Sequence, residues 1–233
     1  MMELRKSDDR GPTKLGWLDS KHTFPFGNYR DPRHQGFREL LVINEDRVVP
    51  GGGFGRHGHA DMEVLSYVLD GELGHQDSTG TDGVIRPGEI QRVSAGTGIE
   101  HSEMNASTIA PVHFLQIWIK PSQHGIAPAY EQVAMPPVTQ AAQIDLIAGP
   151  DGGPGAVKLH ADGRLYRASL QPAATLALDL TPGRHAWVQV ARGDAIIGDQ
   201  PLATGDGLAV SEETHIVLTG GSAHAELLIF DLA

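Results

Sequence analysis

The chain has 233 residues, of which 29 are acidic and 18 basic, giving a formal charge of −11, and it contains no cysteine. Without thiols there is no disulfide framework, thiolate zinc site, cysteine-ligated iron–sulfur cluster or cysteine nucleophile, so any metal must be held by His, Asp or Glu. The scattered Lys and Arg form no basic cluster, which argues against nucleic acid held by phosphate neutralisation.

In chain order, residues 1–10 contain no apolar signal-peptide core, and no later stretch approaches the roughly 20 apolar residues of a membrane span, so a soluble cytoplasmic protein is expected. The 29 Gly and 15 Pro suit short strands and tight turns. Residues 40–43, 64–69 and 113–119 are short runs rich in β-branched and aromatic side chains, bounded by turn residues, and read as buried strands. A cluster of Pro and Gly over 136–155 reads as a linker between a unit at 1–135 and one at 156–233. Beyond it, 165–170, 186–190, 194–197, 215–218 and 225–230 read as further strands. The expectation is an all-β chain built as a sandwich or barrel.

The two halves carry a weak internal repeat. Residues 67–72 match 189–194 at an offset of 122 (189 − 67), with an apolar–x–x–Gly–acid turn ending a strand in each. Gly88-Glu89, Val93-Ser94, Thr97 and Ile99 match Gly205-Asp206, Val210-Ser211, Thr214 and Ile216 at an offset of 117 (205 − 88). The five-residue difference (122 − 117) falls on 75–83, which looks like a long hairpin loop. Two copies of one β unit is the simplest account.

Chemistry concentrates in two segments of the first half. On a strand, His57 and His59 point to one face, and Glu63 keeps their parity if the strand stays regular that far. Forty residues on, His101 and Glu103 form a second even-spaced pair. Two such pairs on facing strands would place three nitrogens and one carboxylate oxygen around a cation. Imidazoles with one hard carboxylate favour Fe(II), Mn or Ni, and four protein ligands leave octahedral positions open for substrate or dioxygen. Parity alone does not choose between Glu63 and Glu103. In the second half the offsets put Asp179, Thr181, Leu218 and Gly220 at the positions of His57, His59, His101 and Glu103, so that half is expected to hold no metal. His75, Phe24, Phe26, Phe54 and Met62 are candidates for the site's walls, or simply for core.

These segments also carry a family resemblance. Gly51-x5-His57-x-His59-x3-Glu63-x7-Gly71 resembles the first cupin motif with one extra residue before its last Gly, and Gly98-x2-His101-x3-Asn105 resembles the end of the second. More narrowly, Gly16-Trp17-Leu18-Asp19-Ser20-x-His22-Thr23-Phe24, Asp61-Met62-Glu63 and residues 94–103 resemble the bacterial pirin-like proteins, over residues 1 to about 130 and, beyond that, by architecture. The resemblance implies two tandem cupin barrels (a bicupin, each a double-stranded β-helix or jelly roll) with one divalent metal in the first. Its ligands fall on His57, His59, His101 and Glu103, and the metal is commonly Fe(II), with Ni, Mn, Cu, Co or Zn as other possibilities. It further implies quercetin 2,3-dioxygenase-like ring opening of a phenolic substrate with dioxygen, Glu103 taking the substrate proton. The alternative implied by the same family is a redox-sensitive regulatory module that binds a protein partner without turnover.

Overall fold

Each of the eight runs read as strands lies within an observed strand of the computed structural model, which describes residues 1–233. The first half contains β1 Met2–Arg5, β2 Gly11–Lys14, β3 Leu18–His22, β4 Leu40–Val48, β5 Gly53–His59, β6 Glu63–Asp70, β7 Leu73–Asp77, β8 Asp82–Ile85, β9 Glu89–Ser94, β10 Ile99–Asn105, β11 Val112–Ile119 and β12 Ala129–Ala134. The second contains β13 Ala142–Gly149, β14 Val157–Lys158, β15 Gly163–Leu170, β16 Thr175–Asp179, β17 His185–Arg192, β18 Asp194–Ile197, β19 Gln200–Ala203, β20 Gly207–Val210, β21 His215–Gly220 and β22 Ala225–Leu232. The only helical element is a 3-10 turn over Ser7–Asp9, and no helix is long and apolar enough to cross a membrane.

Two barrels result, each from a seven-stranded and a four-stranded sheet. The first combines β12-β9-β6-β11-β4-β3-β2 with β5-β10-β7-β8, and the second combines β1-β20-β17-β22-β15-β13-β14 with β16-β21-β18-β19. The orders correspond strand for strand, so the sequence repeat is a structural one. Leu73 pairs with Ile85 in the first hairpin and Ala195 with Leu202 in the second. Those pairs are 12 (85 − 73) and 7 (202 − 195) residues apart, so the five-residue difference lies in that hairpin. Gly71 and Gly193 occupy the same turn with φ of 80° and 71°, each with backbone so close that a methyl would fall 2.5 Å from the Pro111 carbonyl oxygen or 2.2 Å from that of His224. Glycine is needed at both for conformation and for space.

The largest core lies between the barrels. Leu65, Tyr67, Leu115 and Ile117 of the first seven-stranded sheet share one buried cluster with Leu165, Trp187, Leu228 and Phe230 of the second. Alternate residues, Val64 and Val68 among them, face the interior of the first barrel. Strands buried on both faces read as continuous apolar runs, which explains why no period-two alternation marked them.

Two boundaries differ from expectation. The segment 136–155, read as linker, carries β13, which pairs along its length with β15, so the Pro and Gly residues flank a strand of the second barrel. Strand β1 pairs with β20 and completes the second barrel's sheet although it opens the chain. Covering an edge satisfies a row of backbone donors and acceptors, and neither partner's sequence signals it.

Candidate metal centre

Strands β5 and β10 bring the predicted pairs together. They run antiparallel with His101 opposite His57, then a bulge shifts the register so that Glu103 faces Phe54 and Met104 faces Gly53. Gly53 has φ 156°, and a methyl there would sit 2.4 Å from the Glu103 carbonyl oxygen, so a side chain at this position would displace the bulge that aims Glu103.

The ligating atoms of His57, His59 and His101 lie within 4.8 Å of one another. His101 Nε2 is 2.9 Å from His59 Nε2 and 3.1 Å from His57 Nε2. A metal–nitrogen bond of about 2.1 Å with ligands at right angles puts neighbouring nitrogens about 3.0 Å apart, whereas tetrahedral angles give about 3.4 Å. These two spacings from His101 fit adjacent corners of an octahedron. His57 Nδ1 lies 2.8 Å from the Gly55 carbonyl and donates to it, which leaves the Nε2 lone pair turned toward the cluster. Burial, then repulsion from neighbouring rings, pushes His59 down to about 4 and His101 down to about 3. Both rings are neutral at pH 7, the form that coordinates. Three converging imidazole nitrogens fit a divalent cation.

Glu103 is not among the atoms within that 4.8 Å. Its carboxylate reaches toward the opposite sheet, accepting from Ser66 Oγ at 3.0 Å and from Gln116 Nε2 at 2.6 Å. Burial pushes it up to about 7, opposed by those two hydrogen bonds. Ser66 and Gln116 belong to a polar row, Gln91–Ser66–Gln116–Asn44–His22, in register across β9, β6, β11, β4 and β3. The equivalent row of the second barrel is Leu208–Val188–Ile229–Tyr166–Leu146. The strand register does not place Asp179, Thr181 and Gly220 at the ligand positions: the inward side chains of the equivalent strands are Leu176 and Leu178 of β16, opposite Leu218 and Ile216 of β21, and the facing sheet is apolar too. The second barrel fills its centre with hydrocarbon, and the first keeps a polar wall.

Glu63 lies elsewhere. Asp61, at φ 45°, breaks the strand after His59, and Glu63 starts β6 on the face turned to the second barrel. There it accepts from Ser94 Oγ at 3.0 Å and from the His160 backbone N–H at 3.4 Å. The even spacing of Glu63 from the histidines therefore has no counterpart in space. His75 is buried, 2.9 Å from Asp77 and 3.2 Å from Gln91, with its ring 5.3 Å from that of His101. It supports the cluster from the side as a hydrogen-bonded strand histidine.

A cavity of about 280 Å³ opens in the same barrel, walled by Trp17, Phe26 and Phe54 and by the polar side chains of Ser20, His22, Asn44 and Asp46; it meets the site through Phe54, the register partner of Glu103, and the ligand histidines lie outside its lining. Phe54 lies on ligand strand β5, and Phe26 packs edge-on against Trp118, which packs edge-on against His59. Phe24 is instead part of the core between the barrels, and Met62 packs on a small cluster around Val64. Sequence reasoning missed Ser66, Gln116 and Asp46. The one available signal was Asn44-Glu45-Asp46 inside an otherwise apolar strand.

Comparisons with known proteins agree with this architecture. The family model described as Pirin matches residues 4–119, and that described as quercetinase C-terminal cupin domain matches 146–232. A quercetin 2,3-dioxygenase of Escherichia coli (strain K12) is 45% identical, with 100% of this chain and 99% of that protein covered. A pirin-like protein of Caulobacter vibrioides is 32% identical, with both chains covered in full. The crystal structure of a bacterial pirin from Escherichia coli in complex with nickel(II) superimposes with a TM-score of 0.94 at 43% identity, covering 100% of this chain and 99% of that one.

Proposed function

The chain belongs to the pirin family, and we propose that it is a metal-dependent dioxygenase that opens the central ring of a flavonol such as quercetin. The observation that carries this reading is the juxtaposition of a three-histidine cluster with octahedral spacing and an aromatic cavity large enough for a small planar ligand. That cavity favours turnover over the alternative of a regulatory surface, which needs none.

In this reading His57, His59, His101 and Glu103 hold one divalent metal, with Fe(II) as the native ion. A metal so held supplies a Lewis-acidic centre where a deprotonated 3-hydroxyl and dioxygen can meet. The three imidazoles set its electronics, and those of His59 and His101 are neutral at pH 7 and so do not compete for protons. Glu103 accepts the proton of the flavonol 3-hydroxyl, as the carboxylate carried on the same strand as His101. Ser66 and Gln116 fix the carboxylate's orientation, so the acceptor is aimed before substrate arrives. Trp17, Phe26 and Phe54 exclude water and hold the flat ring system by its faces.

Protein loaded separately with iron, nickel and manganese should consume oxygen in the presence of quercetin and bleach its absorption, and His57→Ala should abolish both. An unchanged quercetin spectrum with all three metals would sink the assignment.

A further inference from the structure

One carboxyl group in the cavity wall takes no part in holding the metal or moving the 3-hydroxyl proton. Asp46, on β4, is 1% exposed, and both of its carboxyl oxygens are buried without a hydrogen-bond partner. It is the only residue of the cavity lining with a buried polar atom left in that condition. Ser20, its register partner on β3, brings a hydroxyl close enough to offset part of the effect of burial on the carboxyl, but outside hydrogen-bond geometry to either oxygen. Among the other polar groups of the wall, Thr13, His22 and Asn44 are already committed to one another. His22 donates from Nδ1 to Asn44 Oδ1 at 2.7 Å and accepts at Nε2 from Thr13 Oγ1 at 2.8 Å, so both ring nitrogens are used. Its ring stacks at 32° on Phe26, 5.3 Å away.

A buried acceptor without a donor is costly, and such groups persist where a ligand completes them. The chemistry of the wall restricts that ligand. No Lys or Arg lines the cavity, so an anionic group has no counter-charge there. The aromatic faces select a planar ring, and Asp46 selects a ring that carries a donor. Asp46 also lies on the seven-stranded sheet, opposite the strands that bear the histidines and Glu103, so it meets a different part of the ligand from the one presented to the metal.

We propose that Asp46 is a specificity-determining residue that accepts a hydrogen bond from a polyphenol hydroxyl other than the 3-hydroxyl, selecting hydroxylated flavonols over bare ones. This rests on the flavonol reading of the cavity.

The test is anaerobic calorimetric titration of the nickel(II)-loaded protein with quercetin and with 3-hydroxyflavone, which keeps only the 3-hydroxyl. The wild-type chain should prefer quercetin. Asp46→Asn, and Asp46→Thr as a second variant should Asn fail to fold, should reduce that preference by about tenfold or more. Binding of 3-hydroxyflavone should stay nearly constant. In the wild-type chain, methylating every quercetin hydroxyl except the 3-hydroxyl should remove the preference without any substitution. A preference that survives in the variants, or an equal weakening of both ligands, overturns the role of Asp46 and leaves the functional reading standing. A wild-type chain that binds neither flavonol overturns the functional reading, and the role of Asp46 with it.

Discussion

Replacing Glu103 with Gln separates the structural cost of the site from its use. Burial raises Glu103 from 4.5 to about 7, so the folded chain holds that proton more tightly than the unfolded chain does. The stability this contributes is fully present below pH 4.5 and is lost as pH rises through 7. Each tenfold difference in proton affinity between the folded and unfolded chains is worth about 1.4 kcal/mol. The metal-free wild-type chain should therefore lose about 2.5 kcal/mol between about pH 5 and about pH 8 through this group. Glu103→Gln keeps the shape and the contacts to Ser66 and Gln116 but cannot ionise, and it should lack that loss. Asp46 is raised to about 7 by burial, opposed by the nearby Ser20 hydroxyl and added to by the charge of Glu103, so it relaxes in the variant with the same sign. Other titrations are common to both proteins and cancel in the difference. Thermal unfolding of chelator-treated protein at the two pH values should show the variant gaining on the wild type by about 5–10 °C on going to alkaline pH. Adding nickel(II) at the alkaline pH should reverse the order, because only the wild type offers a carboxylate. Parallel pH profiles for the two metal-free proteins would refute the reasoning.

His101→Ala should lower metal affinity by more than about 100-fold, read by elemental analysis after dialysis, while the far-ultraviolet circular dichroism stays that of a β protein. Gly53→Ala forces a methyl against the Glu103 and Met104 backbone and should cost about 2 kcal/mol in denaturant melts together with reduced metal occupancy. Arg10→Ala removes the partner that lies 2.5 Å from buried Glu45. The hydrogen bond from His113 and the charge of Arg10 hold that carboxyl well below the usual range, and urea unfolding of the variant at pH 7 should show a destabilisation of about 3 kcal/mol.

Much of the design was legible along the chain. The eight apolar runs, the matched turns at Gly71 and Gly193 and the lack of a His-x-His pair in the second half depend on local chemistry: side-chain bulk, turn conformation and donor identity. His57, His59 and His101 could be paired because a strand's period is two and their spacing is even. The same rule could not place Glu63, since one residue with positive φ at Asp61 moves the chain to another sheet and ends the parity. Nor could local rules show that residues 2–5 finish the second barrel, that Ser66 and Gln116 aim Glu103, or that Asp46 faces the cavity without a donor. Strand pairing joins residues far apart in sequence through backbone groups that every residue carries. Which strands meet, and which polar side chains then find partners, is decided only when the sheets close.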